Sequence, residues 1–171
     1  MNEVHVYLET DRLLLREITD SDVDHLFELD ADPEVHRYLG NKPVTSKTQV
    51  IEVIANIRRQ YEKNGIARWA VVDKYSGDFM GWSGLKYITE SFNDHVNYYD
   101  IGYRLMKKYW GRGIATESAK AVLDYGFTQM RIPAVYATAS VDNVGSNKVL
   151  QKIGLRSEGQ CYYGRYTLQL V

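Results

Sequence analysis

Tyr103-Arg104-Leu105-Met106-Lys107-Lys108-Tyr109-Trp110-Gly111-Arg112-Gly113-Ile114-Ala115-Thr116-Glu117 marks the point where a strand gives way to a helix. Between Ile101 and Thr116 stand four Lys/Arg and no acid, in a chain whose formal net charge is only −1. Gly111 and Gly113 let the backbone approach a ligand closely and take φ values that other residues avoid. The first N–H groups of the following helix lack intrahelical partners, and the helix dipole favours an anion there. Arg112 and the neighbouring lysines add charge-assisted contacts. The segment therefore reads as a site for a pyrophosphate or a similar polyanion. As a dinucleotide fingerprint it is poor, because Gly111-x-Gly113-x-x-Thr116 lacks the third glycine.

Upstream of this stretch the pattern alternates between strands and helices. Arg12–Ile18 is a short apolar strand. Asp20-Ser21-Asp22 offers caps for a helix through Leu26, Phe27 and Leu29, and Pro33 fits the first turn of a short helix ending near Gly40. Ser46 and Gln49 form a capping box, after which Val50, Ile54, Ile57 and Tyr61 keep one apolar helical face until Asn64-Gly65. Ala67–Asp73 and Phe79–Ile88, joined by Ser76-Gly77-Asp78, read as a hairpin, and Asn97–Leu105 as a further strand. Downstream, Ala115, Ala119, Val122, Leu123, Phe127 and Met130 mark one face of a helix. Ala134–Val141 is a β-rich strand, Gly145–Ile153 a short helix, and Leu155–Tyr163 and Tyr166–Val171 are closing strands. About seven strands and four helices in mixed order specify an α/β (α+β) fold rather than a bundle or sandwich.

Composition narrows the function. The chain has 171 residues, and at roughly 150 residues per domain it reads as a single domain over 1–171. One cysteine, Cys161, excludes an internal disulfide, and it reads as a buried small hydrophobe in a late strand. The four histidines (His5, His25, His36, His95) are too scattered for metal ligands, so no metal is expected. Balanced charge argues against a nucleic-acid-coating surface. No apolar run approaches the ~20 residues that span a bilayer, and MNEVHVYLETDR carries no secretory h-region, so no membrane and a cytoplasmic setting are expected. No GxxxxGK[ST] or HExxH pattern is present, and Gly81-Trp82-Ser83-Gly84-Leu85 lacks the second glycine of a nucleophile elbow. The chain has fourteen tyrosines, crowded at Tyr98-Tyr99, Tyr103 and Tyr109 and at Tyr162-Tyr163 and Tyr166. A second segment, Val141-Asp142-Asn143-Val144-Gly145-Ser146-Asn147-Lys148-Val149-Leu150, starts where a strand ends. Asn143 there can cap a helix or hydrogen-bond an amide-bearing ligand.

These two segments, in this order and about 30 residues apart, resemble the GNAT (GCN5-related) N-acetyltransferases, closest to the RimJ/RimL branch that acetylates ribosomal-protein N-termini. Thr10-Asp11-Arg12-Leu13-Leu14-Leu15-Arg16, Asp32-Pro33-Glu34-Val35 with Tyr38-Leu39, Trp69-Ala70-Val71-Val72 and Ile101-Gly102-Tyr103-Arg104-Leu105 are similar to that branch as well. The resemblance implies a mixed, mostly antiparallel seven-stranded sheet flanked by about four helices, with a V-shaped split between the strands of Asn97–Leu105 and Ala134–Val141. It implies acetyl-CoA as cosubstrate in that split. Tyr103, Arg104 and Leu105 would pair by backbone with the pantetheine arm. Trp110, Gly111, Arg112, Gly113, Ile114 and Ala115 would form the pyrophosphate loop, and Asn143 and Lys148 are further expected contacts. Asp100 stands where the branch carries its acidic base, and Ser146, three residues after Asn143, where it carries its acid. Glu117 is the runner-up base. A protein or peptide α-amine is the implied acceptor. A small amine (amino acid, polyamine or antibiotic) and a non-catalytic acyl-CoA sensor are the alternatives. An acceptor wall of the tyrosines and Trp82, with Glu90, Asp94 and Asp100 nearby, suits an apolar or cationic acceptor. The last hairpin, Tyr162–Tyr166, is a candidate sheet edge for a homodimer.

Overall fold

The computed structural model describes residues 4–163 and 166–170, with side chains described to Gln160. Nine strands form two sheets. The larger has the order β1 (Val6–Glu9), β2 (Leu13–Arg16), β3 (Arg68–Asp73), β4 (Phe79–Ile88), β5 (Tyr98–Leu105), β6 (Val135–Tyr136); the smaller has the order β7 (Thr138–Ser140), β9 (Tyr166–Leu170), β8 (Gly159–Tyr163). All pairings are antiparallel except β5 with β6. The helices are α1 (Val23–Ala31), α2 (Pro33–His36), α3 (Lys47–Asn64), α4 (Ile114–Thr128) and α5 (Val144–Lys152).

Several local signals act where expected. Asp32 caps α2 through the Glu34 N–H, with Pro33 at the first helical position. Ser46 and Gln49 form the capping box of α3, and Gly65 ends it at φ 70°. The apolar face of α3 buries Val50, Ile54 and Ile57. Side chains from β2, β3, β4 and β5 join them in one continuous core that includes Leu13, Leu15, Trp69, Val71, Leu85 and Ile101.

Four features differ from the expectation. The described residues form five α-helices against a count of about four, although all five lie at places read from the sequence. The first strand, β1, lies at the sheet edge, where Tyr7 stacks on Trp69 at 4.4 Å. Its half-exposed VYLE sequence carries too weak an alternation to announce itself. On α4, Phe127 is exposed, and Gly126 takes the core position instead. A Cβ at Gly126 would meet Leu85 Cδ1 and Ile132 Cδ1 at 2.9 Å, so the helix approaches β4 too closely for a side chain there. Finally, the expected strand over Ala134–Val141 divides at the buried Ala137 into β6 and β7, which pair with different partners. One seven-stranded sheet therefore becomes a six-stranded and a three-stranded sheet.

That division creates the split. β6 pairs with β5 only at Tyr99↔Val135 and Asp100↔Tyr136, while β7 turns to β9. From Ile101 to Leu105, β5 has no strand on that side among the described residues. The split lies where it was expected and has its apex at Asp100.

Candidate active site

The parity of β5 decides which groups face the split. Met106 donates its N–H to Met80 O at 2.9 Å, and the register of β4 with β5 runs unbroken from Gly81↔Leu105 to Ile88↔Tyr98. Alternation then turns the backbone groups of Arg104, Gly102 and Asp100 toward β4, and those of Ile101, Tyr103 and Leu105 away from it. The edge strand so exposed can pair with an extended amide chain. Leu105 O is already taken by Trp110 Nε1 at 2.8 Å. Trp110 thus ties the loop to the end of β5, and the Tyr103 backbone with the Leu105 N–H faces the split. Arg104 does not join them. Its backbone belongs to the β4 ladder, and its side chain reaches the buried Asp30 on α1, Nη1 to Oδ1, at 2.6 Å.

Beyond β5, Gly111 and Gly113 take φ of 70° and 77°, and Gly113 is the N-cap of α4. A side chain at Gly111 would meet nothing within 4 Å, so the space over the loop is open. Glu117 N–H is the first amide of the helix to bond backward, to Gly113 O at 3.0 Å. The N–H groups of Ile114, Ala115 and Thr116 are left without helical acceptors. The Ile114 side chain is buried and contributes only its backbone, while Arg112 is exposed and lies 5.6 Å over the Tyr109 ring. The loop fits a pyrophosphate by this geometry.

Across the split, Asn143 caps α5, its Oδ1 accepting the Ser146 N–H at 3.1 Å. This is the structural role of Asn143. Ser146 Oγ lies 3.1 Å from the Tyr103 hydroxyl, which also donates to Ser146 O at 2.9 Å. Burial pushes the Tyr103 phenol up to about 12, against the lowering effect of the Ser146 hydrogen bond, so it stays neutral at physiological pH. Lys148 is exposed on α5, beside a groove of about 510 Å³ lined by Val141, Val144, Asn147, Gln151, Ser157 and Gln160.

Asp100 stands at the apex, and its neighbour in importance is one that sequence reading passed over. Arg68 Nη2 donates to Asp100 Oδ2 at 2.5 Å, Nη1 donates to Asp100 O at 2.8 Å, and Nη1 also bonds Gly84 O. A Cβ at Gly102 would lie 2.9 Å from Arg68 Nη2, so the glycine makes room for this guanidinium. Trp82 lies between two arginines, with Arg68 Cζ 5.2 Å and Arg104 Cζ 5.1 Å from its ring. No side-chain partner of Asp100 Oδ1 is present among the described residues. Asp100 also borders a recess of about 10 Å³ formed by Phe92, His95, Tyr98, Tyr136, Ala137 and Thr138. That is room for one water-sized group. His95 stacks near Tyr136 at 4.2 Å and binds Glu158 at 3.2 Å. Glu90 and Asp94 are exposed in the preceding loop, and Tyr87 packs on Tyr99 at 5.0 Å.

Both carboxylate oxygens of Glu117, the runner-up base, are engaged. Its Oε1 accepts from Thr10 Oγ1 at 2.6 Å and its Oε2 from Arg12 Nε at 2.7 Å. Burial alone would raise its carboxyl, but the hydrogen bonds from Thr10 and Arg12 outweigh that and hold it below the ordinary glutamate range. Its partners stand over 100 positions away, and no local signal announces them. The aromatic side chains of Tyr162, Tyr163 and Tyr166, and that of Cys161, lie outside the described residues. The backbone places β8 at an outer edge of the smaller sheet. No group of three His, Cys, Asp or Glu that could hold a metal ion occurs among the described residues, and no helix among them is long and apolar enough to cross a membrane.

Known proteins resemble this chain in sequence and fold. The family model described as "Acetyltransferase (GNAT) domain" matches residues 12–156. The Uncharacterized N-acetyltransferase YoaA of Bacillus subtilis is 34% identical over 153 residues, which cover 89% of this chain and 84% of that protein. Among solved structures, the ribosomal-protein-S5-alanine acetyltransferase of Vibrio fischeri superposes with a TM-score of 0.78 at 20% identity, covering 97% of this chain and 94% of that one. The spermidine N-acetyltransferase of Vibrio cholerae, in complex with CoA and spermine, superposes with a TM-score of 0.74 at 19% identity, covering 94% of each. The two solved structures share the fold alone.

Proposed function

This chain belongs to the GNAT acetyltransferase family, an N-acetyltransferase with acetyl-CoA as cosubstrate, and from that premise we propose that its acceptor is the α-amine of a protein or peptide N-terminus. The observation that carries the acceptor class is the recess beside Asp100. At about 10 Å³ it admits an amine tip and not a whole small molecule. The remainder of the acceptor lies outside the recess in this reading, which a peptide chain with its N-terminus inserted satisfies. Tyr98, Tyr136 and Phe92 give the recess an aromatic lining suited to a cationic amine, and the Asp100 carboxylate offers it a counter-charge.

Acetyl-CoA supplies a thioester whose acyl carbon accepts the amine while the thiol leaves. Chain residues do the rest. The exposed edge of β5 at Tyr103 and Leu105 aligns the pantetheine amides, and the amides of 113–116 with Arg112 take the pyrophosphate. Asp100 receives, directly or through one water in the recess, the proton that the attacking nitrogen must lose. Arg68 occupies one carboxylate oxygen and leaves Oδ1 for that task. Ser146, held by the Tyr103 hydroxyl, donates to the departing sulfur. Asp100 and Tyr103, an odd number of positions apart on β5, leave the strand on opposite faces, so base and acid approach the split from two sides.

The test is CoA-thiol release from acetyl-CoA with short peptides beginning Ser, Ala, Met or Thr, beside polyamines, amino acids and aminoglycosides. Peptide-dependent release is expected. Asp100→Asn and Ser146→Ala should each lower turnover by ~10²-fold or more with CoA affinity nearly kept. Release with small amines alone refutes the acceptor class, and undiminished turnover in both variants refutes the residue roles.

A further inference from the structure

The pyrophosphate reading of the Gly111–Gly113 loop leaves open what holds two glycines in one conformation. Neither carries a side chain that could pack, and each takes a positive φ. Backbone entropy is greatest at such residues, so a loop built on them needs an external brace.

The brace comes from the turn between β1 and β2. Arg12 Nε and Nη2 both reach Glu117 Oε2, at 2.7 and 2.6 Å, and Nη1 donates to Arg112 O at 3.1 Å. Thr10 Oγ1 donates to Glu117 Oε1 at 2.6 Å, and the Arg12 N–H adds a second bond to that oxygen at 3.3 Å. The guanidinium thus spans Gly113, whose Cβ position would lie 3.5 Å from Arg12 Nη2. The turn itself is anchored from behind, where Lys74 N–H donates to Arg12 O at 2.8 Å and the Tyr75 hydroxyl donates to Asp11 O at 3.2 Å.

One consequence is directional. In a trans peptide the C=O and N–H point to opposite sides. Anchoring Arg112 O on Arg12 therefore aims the Gly113 N–H away from Arg12, toward the open side of the loop. We infer that Thr10, Arg12 and Glu117 form a positioning clamp that sets the Arg112–Gly113 peptide for binding the pyrophosphate of acetyl-CoA, an inference that rests on the loop assignment above. With Arg12 removed, Gly113 on one side, and Gly111 one residue beyond Arg112 on the other, let that peptide rotate, and the inward N–H is lost for most of the time.

Affinity for CoA separates the clamp from a merely structural pair. Titration calorimetry is performed with CoA and with pantetheine, which has no pyrophosphate. Arg12→Ala is expected to weaken CoA about tenfold, equivalent to about 1.4 kcal/mol, and to leave pantetheine within twofold. Arg12→Lys keeps the charge facing Glu117 but cannot reach Arg112 O at the same time, so it should weaken CoA nearly as much. Hydrogen exchange at the 111–116 amides should rise in both variants while the β3 and β4 amides stay protected. CoA affinity within twofold of the unmodified protein, or equal losses for CoA and pantetheine, overturns the clamp. An unmodified protein that binds CoA no more tightly than pantetheine overturns the loop assignment itself.

Discussion

The Arg68–Asp100 pair can be tested without knowing the acceptor. Its side chains are only 14% and 20% exposed, so removing one partner strands a charge in a poorly solvated place. A fully buried pair broken this way costs about 3–5 kcal/mol, and one-fifth exposure lowers that to about 2–3. Arg68 also bonds the Gly84 and Asp100 carbonyls and packs on Trp82, worth roughly 0.5–1 kcal/mol for the ring contact. These terms overlap, and Arg68→Met should cost about 3 kcal/mol. For a domain of this size that lowers Tm by roughly 6–12 °C. Asp100→Asn keeps an acceptor for Arg68 and should cost about 1–2 kcal/mol. In a double-mutant cycle read by urea unfolding, the two changes should couple by about 1–2 kcal/mol, the double variant being less damaged than the sum. Coupling below about 0.5 kcal/mol would refute the reasoning. It would mean that the carboxylate at the apex is not held by Arg68 and that its orientation toward the recess has another origin.

Two further outcomes follow from packing and titration. Gly81→Ala would place a Cβ 2.1 Å from Arg104 O and 2.8 Å from Leu105 Cα, at φ 147°, so β4 and β5 must separate; a loss above about 3 kcal/mol and weaker CoA binding are expected by thermal melting and calorimetry. For Asp22, burial alone would raise the carboxyl, but hydrogen bonds from Arg16 and Thr19 hold it below the ordinary range. A folded-state value below the unfolded ~3.9 contributes stability above that pH, and the contribution is lost as pH falls through the folded value. Urea unfolding between pH 6 and 2.5 should show that loss, and Asp22→Asn should be less stable at pH 6 with a flatter acid slope; parallel slopes would refute it.

The sequence was most legible where a signal and its effect lie within one turn. The Ser46 and Gln49 capping box, the Asp32-Pro33 start and the Gly65 stop each act through bonds between residues a few positions apart. The Gly111–Gly113 loop was readable for the same reason, since the unpaired amides and positive φ values belong to that loop alone. Runs of apolar and aromatic residues, bounded by turns such as Ser76-Gly77-Asp78, also marked β3, β4 and β5. Half-exposed β1 was too short for this, and the exposure of Phe127 depended on how closely α4 approaches Leu85.

What Glu117 does could not be read from its position at a helix N-terminus. A carboxylate there complements the dipole in any protein. Only the return of the β1–β2 turn, over 100 residues away in sequence, engages its oxygens. Arg104 shows the same limit, since its place in the basic segment suggested an anion while its side chain is committed to Asp30. Arg68 was silent until the sheet brought it under Gly102 and against Asp100. Sequence alone determined most of the elements, their caps and the anion-binding character of the loop, because those rest on local backbone sterics and on unpaired amides. Tertiary structure decided which charges remain available for chemistry. Ion pairing depends on distances between strands and helices far apart in the chain, so the partners of Glu117, Arg104 and Asp100 come into view only in the folded molecule.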